Sequence, residues 1–186
     1  MRPLLAASLL ASLLPASPAA AGEAPRPNLL LIVVDDLRFD DFGAAGHPFA
    51  RTPHLDRVAR EGANFGNFFA VTPLCSPSRA NILTGLETRH HGILDNTDRS
   101  PLSHRLPTFA RSLQAAGYQT AMIGKWHLAS DPTGFDYWNV LPGQGDYYNP
   151  MMIENGERKK REGYTTDLIG DDSLAWLKRR EGDTAG

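Results

Sequence analysis

The strongest restriction on the fold comes from Asn28-Leu-Leu-Leu-Ile-Val-Val34, an unbroken apolar, partly β-branched run that stops at Asp35-Asp36. A strand buried on both faces of a parallel sheet has no solvent side to alternate with, and it reads this way. Parallel strands need crossover connections, so helices are expected between this run and the next of its kind. In open α/β sheets ligands bind just beyond the carboxyl ends of strands, which is where this acidic pair falls.

The chain after Asp36 supplies those elements. A helix is predicted from Thr52 as N-cap and Pro53 at the first helical position, with Leu55, Val58 and Ala59 facing inward and Gly62 ending it. A second begins near Ser76-Pro77 and runs through Ala80, Ile82 and Leu83 to Gly85. A third covers residues 107–116, with Phe109, Ala110 and Leu113 inward and Gly117 closing it. Tyr118 to Ile123 reads as the next buried strand, leading into Gly124-Lys125-Trp126-His127. Residues 134–162, rich in Gly, Pro, Asn and aromatics, read as an elaborated loop region. Residues 166–180 read as a last helix, with Leu168, Ile169, Leu174, Ala175 and Leu177 inward. Strand and helix alternating in this way predicts an α/β sandwich built on a mostly parallel sheet. Two clear strands are too few to close it, so the sheet is expected to be incomplete.

Composition narrows the class. A chain with 41% hydrophobic and 22% charged residues is globular, and a net charge of −2 gives no electrostatic footprint for nucleic acid. At the N-terminus Arg2, the apolar run from Leu4 to Leu14, and Ala19-Ala20-Ala21 form a secretory signal peptide. Cleavage is expected after Ala21, residues 22–27 form a linker, and residues 28–186 are the folded part. The apolar run is too short to span a bilayer as a mature helix, so no membrane span is expected after cleavage. The product is expected to be exported, to the periplasm or the exterior.

Cys75 is the chain's one cysteine, so an intramolecular disulfide framework is excluded. It lies in Pro73-Leu-Cys-Ser-Pro-Ser-Arg-Ala-Asn-Ile-Leu-Thr-Gly85, immediately before the predicted helix start. A side chain at a helix N-terminus meets free N–H groups and a dipole that favours negative charge. Arg79, one turn further on, reaches the same place. A cysteine in such surroundings is expected to be activated rather than inert. His90 and His91, adjacent on a loop, are read as solvated or at the edge of a substrate.

The Cys75–Gly85 segment resembles the sulfatase signature, C-x-P-S-R followed by Leu-Thr-Gly. Residues 117–127, Gly-Tyr-Gln-Thr-Ala-Met-Ile-Gly-Lys-Trp-His, resemble the second signature of that family, and Asp35-Asp36 its metal-binding start. The resemblance runs from about Asn28 to Lys178. It implies an alkaline-phosphatase-like α/β fold and hydrolysis of sulfate esters. It also implies that Cys75 is converted to formylglycine by a formylglycine-generating or sulfatase-maturating enzyme, and that Asp35, Asp36 and the modified residue 75 hold a calcium ion.

The resemblance also assigns roles. One hydroxyl of the aldehyde hydrate at residue 75 attacks sulfur, and deprotonation of the other expels sulfate, a step that a plain thiol has no easy way to make. Arg79 holds the modified side chain or a sulfate oxygen, and Lys125 bridges nucleophile and sulfate. His127 is the candidate base, and Lys125 and His127 are the candidate substrate contacts.

The aromatic stretch from Gly134 to Pro150 resembles that of bacterial sulfatases acting on sulfated glycans, N-acetylglucosamine-6-sulfatases among them. A sulfated carbohydrate is therefore the expected substrate. Family members are longer, and their other metal ligands and a second Lys and His come from later strands. A product of 186 residues alone is accordingly expected to be inactive, with an exposed strand edge that makes it unstable or aggregated. Two other readings stand beside this one: a phosphonate or phosphate ester hydrolase of the same superfamily, and a non-catalytic truncated product.

Overall fold

The computed structural model describes residues 26–97 and 105–182. The expected signal peptide, its cleavage point after Ala21 and most of the linker lie outside them. Five α-helices and four strands follow in order among the described residues: α1 (Pro53–Glu61), α2 (Cys75–Thr84), α3 (Thr88–His91), α4 (Phe109–Ala115), β1 (Ala121–Lys125), β2 (Tyr137–Leu141), β3 (Met151–Glu154), β4 (Glu157–Lys160) and α5 (Thr165–Lys178).

The strands form one open sheet in the order β1-β2-β3-β4. The first pair is parallel, with Lys125 opposite Leu141, and the other two pairs are antiparallel. Leu83 of α2 is buried with Trp126 and Val140, and Met122, Leu128, Phe135, Trp138 and Ile153 pack around them. Asn139 alternates with Trp138 and Val140 along β2 and so points to the other face. There its Nδ2 donates to Asp172 of α5 at 2.9 Å. Helices therefore cover both faces, as an α/β sandwich requires.

The helix boundaries follow local chemistry. Pro53 opens α1, and Gly85 ends α2 in the left-handed conformation, at φ 68°. The Thr108 hydroxyl accepts from Arg111 N at the start of α4. The helix expected near Ser76 begins one residue earlier, so Cys75 is itself its first residue.

Several expectations are corrected. The run Asn28–Val34 is exposed along its length and has no ladder partner among the described residues. Apolarity predicts what a segment would bury, whereas burial itself needs a neighbouring strand. The strand expected at 118–123 starts at Ala121, because Thr120 is taken up by Asp136. The Thr120 carbonyl accepts from the N–H groups of Asp136 and Tyr137, while its own N–H donates to the Asp136 carboxylate at 2.8 Å. Residues 134–162 are not one loop region but contain β2, β3 and β4. Two of these strands form a hairpin turning at Asn155-Gly156, both at positive φ, and Asn-Gly is a hairpin signal. Strand β4 reads Glu-Arg-Lys-Lys, a charged edge with no apolar period to detect. Leu55, Val58, Phe109, Leu174, Ala175 and Leu177, all expected inward, are exposed. His91, read as solvated, is buried on α3, where its Nδ1 accepts from Ile93 N at 3.0 Å.

Candidate active site

Strands β1 and β2 run in parallel, so their carboxyl ends lie side by side. Lys125 is the last residue of β1, and its side chain is 9% exposed. Its Nζ donates to Asp35 Oδ2 at 2.7 Å and to Gln144 Oε1 at 3.0 Å, and lies 3.5 Å from Cys75 Sγ. Three partners from three separate segments thus surround one ammonium group.

Arg79 bonds the same carboxylate. Its Nη2 donates to Asp35 Oδ1 at 2.8 Å, and its Nη1 to the carbonyl of Lys125 at 2.5 Å. It sits one turn into α2, the helix that Cys75 opens, so the guanidinium and residue 75 keep a fixed relation. Asp35 joins the two cations, one carboxylate oxygen to each. Burial pushes the Asp35 carboxyl up, but the hydrogen bonds and charges of Lys125 and Arg79 outweigh it and hold it below the usual carboxylate range.

Asp36 follows in the left-handed region, at φ 55°, a conformation Asp tolerates better than most residues. One side-chain ligand atom from each of Asp35, Asp36 and Cys75 falls within 4.8 Å of the others, a grouping able to hold a metal ion.

The start of α2 is tied down by two further bonds. Ser76 N donates to Asn96 Oδ1 at 2.9 Å, and the Ser76 hydroxyl donates to the carbonyl of His127 at 2.6 Å. His127 is buried at φ 52°, and it joins the group through this backbone contact. The structure therefore brings Asp35, Asp36, Cys75, Arg79 and Lys125 together by side chain, and His127 by main chain.

Sequence reasoning missed Gln144 and Asn96. Gln144 had a usable signal: it lies in Gly143-Gln144-Gly145, just past what proves to be the carboxyl end of a strand parallel to β1. Asn96 had none, since its contact depends on a loop folding back twenty residues onto Ser76.

Comparison with known proteins shows the family. The family model described as Sulfatase matches residues 27–184. An N-acetylglucosamine-6-O-sulfatase of Bacteroides thetaiotaomicron is 44% identical over 162 residues, 86% of this chain and 29% of that protein. Mouse (Mus musculus) steryl-sulfatase is 47% identical over 141 residues, 68% of this chain and 23% of that protein. The chain thus spans less than a third of the length of either relative. A solved structure described as a complex with its substrate D-glucosamine-2-N,6-O-disulfate superposes with a TM-score of 0.79 at 44% identity, covering 83% of this chain and 32% of that one. The phosphonate monoester hydrolase of Agrobacterium radiobacter, at 39% identity and a TM-score of 0.52, covers 60% of this chain and 22% of its own. Sequence, fold and the grouping around Cys75 agree: this chain belongs to the sulfatase family.

Proposed function

We propose that the complete gene product hydrolyses sulfate esters on sulfated glycans, with residues 28–186 as the N-terminal part of its catalytic domain. The observation that carries the reading is the placement of Cys75. It opens helix α2, has Lys125 Nζ 3.5 Å away, and shares a potential metal cluster with Asp35 and Asp36.

The donor set suits a hard divalent cation, and calcium is the ion we assign. Each Asp35 oxygen donated to by Lys125 or Arg79 keeps a further lone pair, so the ion pairs do not use up the carboxylate. A thiol is the odd member of such a set, because soft sulfur suits softer metals. An oxygen-bearing side chain at residue 75 matches the two carboxylates, which supports conversion of Cys75 to formylglycine by a maturating enzyme. The cation would supply charge to neutralise the sulfate oxygens, and the hydrated aldehyde an oxygen nucleophile in place of sulfur.

The remaining work falls to the chain's own side chains. Arg79 and Lys125 balance Asp35 and Asp36, so a dication leaves the site net positive for an anionic ester. Lys125, fixed beside residue 75, orients that side chain and meets the sulfate. Arg79 clamps the end of β1 to Asp35 and keeps both near the helix N-terminus. His127 is the assigned base, and with Lys125 it forms the substrate contact.

A glycan substrate is supported by the exposed rings of Tyr147 and Tyr148 on the segment that carries Gln144, and by the relative that acts on N-acetylglucosamine 6-sulfate. Export through the signal peptide at residues 1–21 fits such a substrate. Among the described residues no helix is long and apolar enough to cross a membrane.

The test is mass analysis of the Cys75 peptide from the native host, together with turnover of an aryl sulfate. Only unmodified thiol, or no sulfate release, would remove the proposal. Likeness to a phosphonate monoester hydrolase favours one alternative, an ester hydrolase acting on phosphorus. Faster turnover of an aryl phosphonate than of the matching sulfate would select it.

A further inference from the structure

We infer that Gln144 is a positioning residue for Lys125, resting on the sulfatase reading above. A lysine ammonium is a compact point charge on a flexible four-carbon stem, with three donors and no fixed fork. Asp35 alone would satisfy one of those donors and leave the stem free to swing about that single bond. The Gln144 carbonyl pulls from another loop at 3.0 Å, so that Nζ stays between the two and 3.5 Å from Sγ. It does so as a neutral acceptor. A carboxylate there would add negative charge where an anionic ester must enter.

The loop is built to deliver this one side chain. Gly143 and Gly145 flank Gln144 at φ 60° and 79°, both in the left-handed region where other residues are strained. A Cβ on Gly145 would also run into the side chain of Leu141, which is buried at the end of β2. Register places Leu141 opposite Lys125, so the turn starts beside the lysine it serves. Gln144 itself is exposed and fills no core position, so packing gives no reason for its presence.

The experiment is a double-mutant cycle on the complete, matured gene product with an aryl sulfate, alongside melting temperatures. Gln144→Leu removes the acceptor at similar length, and kcat is expected to fall roughly tenfold with no change in melting temperature. In a Lys125→Ala background the same substitution is expected to change nothing further, because Gln144 acts only through the lysine. Gln144→Glu keeps the acceptor and adds charge, so it is expected to raise KM more than it lowers kcat. A wild-type kcat in Gln144→Leu overturns the inference, as does an equal loss in the Lys125→Ala background. If Lys125→Ala is itself fully active, or the wild type releases no sulfate, the functional reading fails instead.

Discussion

Asp172 ties α5 to the sheet, and its removal tests how the helix is held. Its Oδ2 accepts from Asn139 Nδ2 and from Arg161 Nη1, both at 2.9 Å, and its Oδ1 from Arg161 Nη2 at 3.2 Å. Asp172→Ala removes both interactions. The ion pair is partly solvated, with side chains 32% and 17% exposed, so its loss costs about 1 kcal/mol rather than the full value of a buried pair. Asn139 is worse placed. The residue is 2% exposed and its Oδ1 has no hydrogen-bond partner among the described residues, so losing the Nδ2 contact leaves a buried amide unsatisfied. That adds about 1–3 kcal/mol.

The total is about 2–4 kcal/mol, and it lowers the melting temperature by less per kcal/mol in a large domain than in a small one. Asp172→Asn keeps an oxygen acceptor for Asn139 but loses the charge and the second oxygen facing Arg161, so it should cost about 1 kcal/mol and spare the buried amide. Thermal unfolding of both variants in the complete gene product is the assay. Equal losses in the two, or a loss below about 0.5 kcal/mol in Asp172→Ala, would refute the division between charge and buried amide.

Three further outcomes are expected. Gly145→Ala should destabilise by about 1–3 kcal/mol, from left-handed strain and displacement of Leu141, and should lower sulfate-ester turnover by moving Gln144; unfolding and kinetics on one preparation check both. Cys75→Ala should abolish turnover while leaving the melting temperature within about a degree or two, since the side chain is only partly buried and ion pairs elsewhere hold the site.

Tyr137 gives a pH dependence. Burial, then its hydrogen bond to Glu154, pushes the phenol from 10.0 up to about 12. The neutral form is favoured by folding, so this contribution is intact below the ordinary value and is lost as the pH climbs through about 12. The stability difference between wild type and Tyr137→Phe should shrink across that window, as read by denaturant titration at several pH values. A constant difference would contradict the assignment.

The chemistry legible before folding is the chemistry carried by neighbours along the chain. Cys75 before Ser76-Pro77 places it at a helix start whatever else folds, because Pro is tolerated in a first turn and excluded from an interior. Arg79 follows at one turn's spacing, Asp35-Asp36 stand at the end of an apolar run, and Gly85 and Gly117 mark helix ends. Those are short-range rules, and Asp35, Asp36 and Arg79 do meet around Cys75.

Tertiary structure decided which segments pair, and pairing joins residues far apart. Apolarity in Asn28–Val34 states a demand for burial, but no described strand answers it, so the run lies exposed. Strand β4 has no apolar residue at all and is a strand because β3 offers it a ladder. Asn96 reaches Ser76, and Gln144 reaches Lys125, only because loops return to the ends of other elements. Strand register and loop return depend on contacts between distant residues, and no local pattern carries them.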